Sequence, residues 1–177
     1  MLDPRKRLVG ATVRGPLSLP PGGAHWYALG ELGYPDPATF MQTLPLLHGW
    51  LDAFEASSGI APDRTVLGGF SQGAVMTYVL SLQRGRPRFP AAIALSGFIP
   101  TVPGLELDLA SPLPRFAIGH GIYDDVIGVD WSRRAREVLE NAGAEVLYSE
   151  SPLGHTIDPR FLAQLSGWLE QSLPARV

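Results

Sequence analysis

The chain has 177 residues, with 17 acidic against 14 basic side chains for a net charge of −3, 45% hydrophobic residues and no cysteine. At roughly 100–200 residues per domain, residues 1–177 read as a single domain. The absence of cysteine excludes a disulfide scaffold, a thiolate metal site and a cysteine nucleophile, and the mildly acidic balance argues against nucleic-acid binding, which needs a basic footprint. Residues 7–13 (RLVGATV) are short, apolar and rich in β-branched side chains, which predicts a strand. Residues 14–25 carry Pro16, Pro20, Pro21, Gly22 and Gly23 and read as loop. Asp36-Pro37 is a helix opening, cap then proline, and Phe40, Leu44, Leu47, Leu51 and Phe54 give that helix one apolar face as far as Gly59. Pro45 lies within it and is expected to kink it by removing a backbone donor. A second strand at 65–70 leads almost without a loop into a helix at 72–83. Residues 91–95 and 115–119 read as the third and fourth strands. A helix at 130–142 ends in the Asn141 and Gly143 signals, and a fifth strand follows at 144–148. Asp158-Pro159 repeats the opening of a helix, lined by Phe161, Leu162, Leu165, Trp168 and Leu169. About five apolar strands alternating with amphipathic helices predict an α/β fold around a parallel sheet buried on both faces.

In such sheets the reacting groups gather beyond the carboxyl ends of the strands. The first junction is Gly69-Phe70-Ser71-Gln72-Gly73, a G-x-S-x-G between a strand and a helix. A sharp turn there exposes the serine hydroxyl and aims the first N–H groups of the helix at whatever the serine attacks. By itself the run is also compatible with a glycine-rich turn and a capping serine. The second junction is His120-Gly121-Ile122-Tyr123-Asp124-Asp125, where either aspartate is placed to orient an imidazole and His120 reads as structural. The third is Leu153-Gly154-His155-Thr156, after the fifth strand. Ser71, then an aspartate, then His155 is the chain order of an α/β-hydrolase triad.

These residues resemble the phospholipase/carboxylesterase family of serine hydrolases, which includes the acyl-protein thioesterases. The matching runs are Gly68-Gly69-Phe70-Ser71-Gln72-Gly73-Ala74, Leu95-Ser96-Gly97-Phe98-Ile99-Pro100, His120-Gly121-x-x-Asp124 with Val126-Ile127, and Gly154-His155-x-Ile157. The resemblance implies a parallel-sheet α/β-hydrolase fold with Ser71 as nucleophile, Asp124 rather than Asp125 as orienting acid, and His155 as base. It also implies the Gln72 N–H as an oxyanion donor and places the proline-rich loop leading to Trp26-Tyr27 beside the acyl site. Relatives carry a further strand and a His-Gly-rich loop ahead of the strand read at 7–13, and that loop supplies a second oxyanion donor. Only six residues precede Arg7, so the fold is expected to be reduced at its N-terminus. Residues 7–13 would then close the gap beside the 65–70 strand, or a second copy of the chain would cover that edge as a homodimer.

The expected activity is carboxylesterase cleavage of small, short-chain esters through an acyl-enzyme, with Trp26, Tyr27, Phe98, Ile99 and Leu153 as candidate substrate-binding residues. Neither a metal nor an organic cofactor is expected: no H-E-x-x-H run or carboxylate-histidine cluster occurs, and His25 and His48 have no spacing that fixes a ligand set. Two other readings use the same residues: a thioesterase or lysophospholipase with the same triad, and a catalytically impaired hydrolase fold kept as a binding module. The apolar runs are far shorter than the roughly 18 residues a membrane span needs. The charged start (MLDPRKR) has no apolar stretch behind it, so the expected compartment is the cytoplasm.

Overall fold

The computed structural model of the protein describes residues 3, 6–18, 22–110 and 112–173. Helix α1 (Pro37–Ser58) starts where the sequence places it: Asp36 Oδ1 accepts the Thr39 N–H at 2.9 Å, and Pro37 takes the first turn, where its missing N–H costs nothing. It runs continuously through Pro45 and stops at Gly59, whose φ of 69° turns the chain into the left-handed region. A short 3₁₀ turn (Pro62–Arg64) leads to β1 (Val66–Phe70) and then directly to α2 (Gln72–Leu82). The remaining elements are β2 (Ala91–Leu95), β3 (Arg115–Gly121), α3 (Asp130–Asn141), β4 (Val146–Ser151) and α4 (Pro159–Ser172).

The four strands form one parallel sheet in the order β1-β2-β3-β4, with Phe70 beside Leu95, Leu95 beside Gly119, and Gly121 beside Ser151. Alternation along the strands sorts the core into two faces. Ala92, Ala94, Phe116 and Ile118 pack against Ala74, Tyr78 and Leu82 of α2 and Ala135 and Leu139 of α3. Ala91, Ile93, Leu95 and Ala117 pack against Phe161, Leu165, Trp168 and Leu169 of α4. Helix α1 lies outside α2, its Phe40, Leu44 and Leu47 meeting Val75, Met76 and Val79. A strand covered on both faces has no polar side to show, which is why AAIAL is an unbroken apolar run.

Among the described residues the sheet has four strands, not five. Residues 7–13 form no strand, and Leu8 and Val9 are exposed. A β-branched run becomes a strand only when a neighbour accepts its ladder of backbone hydrogen bonds. Here the Leu8 N–H turns to Asp3 Oδ2 at 2.7 Å and the Arg7 guanidinium reaches Glu170 on α4. Among the described residues β1 is paired on one side only, and residues 7–13 do not close its outer edge. No described helix is long and apolar enough to cross a membrane.

Candidate active site

The carboxyl ends of β1, β3 and β4 converge at one place. Ser71 joins β1 to α2 with φ 55° and ψ −122°, a backbone conformation that L-residues rarely adopt. Three contacts hold it there: its N–H donates to Leu95 O at 2.9 Å, and its own carbonyl accepts the N–H groups of Ala74 at 2.9 Å and Val75 at 3.2 Å. The turn also requires Gly69, where an added Cβ would collide with the Gly73 carbonyl. Gly73 itself is under no such restraint, since a Cβ there meets only Trp26 Nε1 at 4.0 Å.

The loops after β3 and β4 are bonded together. Ile122 N–H donates to Ser151 O at 2.8 Å and Tyr123 N–H to Leu153 O at 2.9 Å. Gly121 permits this approach, because a Cβ at that position would strike the Leu153 and Gly154 carbonyls. The result carries Asp124 to His155: Nδ1 of His155 lies 2.7 Å from Asp124 Oδ2, and its Nε2 lies 2.9 Å from Ser71 Oγ. A carboxylate only accepts, so Nδ1 carries the imidazole hydrogen and Nε2 is left as the acceptor for the serine hydroxyl. Phe70 packs on the imidazole with ring centroids 4.7 Å apart, a contact that the G-x-S-x-G pattern does not reveal.

Asp124 Oδ1 accepts the N–H groups of Ile127 at 2.8 Å and Val126 at 3.0 Å. Burial pushes its carboxyl pKa upward, but the Ile127 N–H, His155 and the Val126 N–H outweigh burial and hold it below the usual carboxylate range. Asp125, next along the chain, is exposed. His120 has its side chain fully buried, with Nε2 2.7 Å from Ile127 O and 3.3 Å from Asp124 Oδ2.

Gln72 begins α2, so its N–H stands at the positive end of the helix, ahead of those of Ala74 and Val75 that return to Ser71 O. The sequence reading missed its side chain. Oε1 accepts the Trp26 N–H at 2.9 Å and Nε2 donates to Tyr27 O at 3.2 Å, which moors the Trp26-Tyr27 segment to the residue after the serine. Of the candidate substrate-binding residues, Trp26 and Leu153 are partly exposed near the serine and the histidine. Tyr27 and Phe98 are absorbed by the core around Phe40 and Val75, and burial raises the Tyr27 phenol pKa. Ile99 packs instead with the cluster between the sheet, α2 and α3. Tyr27 and Phe98 are thus committed to packing, whereas Ile99 is only partly buried. His48 faces Gln83 Oε1 at 2.5 Å and His25 the Gly22 carbonyl at 3.3 Å. Among the described residues no group of three or more His, Asp or Glu side chains is arranged to hold a metal ion.

A parallel sheet with a serine on a strained strand-to-helix turn, met by loops from later strands, defines an α/β-hydrolase fold. The solved structure of esterase PE8 has the same fold, with a TM-score of 0.74 at 28% identity over 90% of this chain and 76% of that one. The chain belongs to the phospholipase/carboxylesterase family, whose model matches residues 10–173. It is 24% identical to acyl-protein thioesterase 1 of Emericella nidulans over 97% of this chain and 76% of that protein. It is 29% identical to lysophospholipase-like protein 1 of Mus musculus over 73% of this chain and 55% of that protein. The chain thus spans about half to three quarters of these relatives' length.

Proposed function

We propose that the chain is a serine esterase that hydrolyses small, short-chain carboxylic esters through an acyl-enzyme. The reading is carried by the unbroken hydrogen-bond chain Ser71 Oγ, His155, Asp124, with heavy-atom distances of 2.9 and 2.7 Å. Ser71 Oγ attacks the ester carbonyl while its proton passes to His155 Nε2, and Asp124 stabilises the imidazolium through Nδ1–H. The carbonyl oxygen, now negative, is received by the Gln72 N–H and the start of α2. As the tetrahedral species collapses, the C–O bond to the alcohol breaks and His155 returns the proton to the departing oxygen. Water then attacks the acyl-serine as its proton passes to His155. On collapse of the second tetrahedral species the bond to Ser71 Oγ breaks, His155 returns the proton to that oxygen, and the carboxylic acid leaves.

Two features favour small substrates: Ser71 and His155 are partly open to solvent, and Tyr27 and Phe98 are used in the core instead of lining a deep acyl channel. Ser71→Ala should abolish turnover of p-nitrophenyl butyrate and labelling by a fluorophosphonate, with the far-UV circular dichroism unchanged. Retained turnover would remove the assignment, and a parent protein that does not label would favour the binding-module reading. A second reading, thioester hydrolysis by the same residues, is favoured by the likeness to an acyl-protein thioesterase over 97% of the chain. Matched oxygen and sulfur esters compared by kcat/KM separate the two.

A further inference from the structure

His120 is the one imidazole of the site that the proposed reaction leaves idle. It lies next to last in β3, with its side chain fully buried. Its Nε2 faces two acceptors, Ile127 O at 2.7 Å and Asp124 Oδ2 at 3.3 Å, so that nitrogen carries the hydrogen. The other ring nitrogen, Nδ1, is buried without a hydrogen-bond partner. Such an imidazole is costly in a core, and an aliphatic side chain would fill the space without that cost. What distinguishes the position is its neighbours. Ile127 is held from both sides, its carbonyl by His120 and its N–H by Asp124 Oδ1 at 2.8 Å. Asp124 Oδ2 in turn lies between the buried imidazole of His120 and the partly exposed imidazole of His155.

We infer that His120 is a positioning residue, a second imidazole that locks the turn 124–127 and fixes the Asp124 carboxylate so that Oδ2 faces His155 Nδ1. The inference rests on the triad reading above. The backbone N–H groups of Val126 and Ile127 hold only Oδ1, which leaves the carboxylate able to swing about that anchor. The His120 N–H donates to the Ile127 carbonyl and so pins the turn, while its ring, 3.3 Å from Oδ2, closes the side to which that oxygen would swing when His155 gains a proton during catalysis. His120 acts on the serine only by way of the turn 124–127 and Asp124.

The test compares His120→Gln with His120→Asn. The Gln amide nitrogen reaches the place of the imidazole Nε2, whereas the Asn amide nitrogen falls short of it, near Nδ1. Turnover of p-nitrophenyl butyrate is expressed per site titrated to completion by a fluorophosphonate, which removes any unfolded fraction from the comparison. With the carboxylate free to move by about an ångström, His120→Asn should lose about 10²-fold in kcat with KM nearly unchanged, and His120→Gln should recover most of that loss. The initial rate of fluorophosphonate labelling should follow kcat. Equal kcat per site in the two variants, whether high or low, would overturn the inference, as would a loss carried by KM or only by the number of titratable sites. A parent protein that does not label at Ser71 would instead overturn the triad reading on which this one stands.

Discussion

The two flanks of the sheet are built differently. On the β3–β4 side, two interloop backbone hydrogen bonds, a doubly anchored Asp124 and a buried His120 surround the imidazole of His155. On the β1 side, an open trough of about 550 Å³ lies beside the start of the strand, bordered by apolar residues such as Leu8, Val9 and Val66 and by charged ones such as Arg7, Arg64 and Glu170. Among the described residues the segment 22–34 is tied by Gln72 to Trp26 and Tyr27, by Thr39 Oγ1 accepting the Ala28 N–H at 3.0 Å, and by the Gly33 carbonyl accepting the Thr101 N–H at 3.0 Å. The orientation of an acid and a base tolerates little error, so hydrogen bonds are concentrated where those groups sit. The trough beside the start of β1 holds no group of the proposed triad, and a mixture of apolar contact and the Arg7–Glu170 ion pair serves there.

This contrast can be broken most severely at the rigid side. Asp124→Asn should lower kcat by about 10⁴, whereas Asp125→Asn, on an exposed side chain, should change it by less than about threefold. Steady-state kinetics on the two variants checks the pair, and a reversal would mean that the wrong carboxylate has been assigned. Gly121→Ala should come next. The new methyl group must push the 153–154 carbonyls away, at about 1–3 kcal/mol of stability and with a loss of kcat, both readable from urea unfolding and kinetics on one preparation.

Gln72→Ala sharpens the comparison from the loose side. It removes both ties to Trp26 and Tyr27 but keeps the backbone N–H, so KM should rise while kcat falls by less than tenfold, with about 1–2 kcal/mol lost in thermal unfolding. A smaller effect is expected in acid. The folded-state pKa of Asp124 lies below its unfolded value of about 3.9, so its contribution is complete above that pH and is lost as pH falls through the folded value. Urea midpoints measured downward from about pH 5 should therefore decline less steeply in Asp124→Asn than in the parent. Val9→Ser, on the open flank with 70% of the residue exposed, should stay within about 0.5 kcal/mol of the parent.

Much of the architecture is written locally. Asp36-Pro37 and Asp158-Pro159 start helices α1 and α4 through their own side chains, Gly59 and Gly143 follow the ends of α1 and α3 with positive φ, and the apolar spacing on α1 needs no partner to be recognised. The strand-to-helix turn at Ser71 is equally local, because Gly69 must be bare for the turn to close. For the same reason, the alternation of strands and helices and the location of the candidate site could be read from residue order.

Residues 7–13 mark where that reading ends. Their composition is that of a strand, but half of a strand's hydrogen bonds belong to its neighbour, and no local pattern reveals whether the neighbour is there. The choice between Asp124 and Asp125 was open by position and was made only by resemblance to a family. Its physical basis is the bonding of two loops some thirty residues apart, which buries the first aspartate and exposes the second. Chain order alone thus located the strands β1–β4 and the helices α1–α4, and determined which hydroxyl, carboxyl and imidazole groups were available. Tertiary structure decided that the sheet stops at four strands, that Gln72 moors the Trp26-Tyr27 segment, and that His120 stands behind Asp124. Each of these depends on a partner distant in sequence, and periodicity and capping report only on near neighbours.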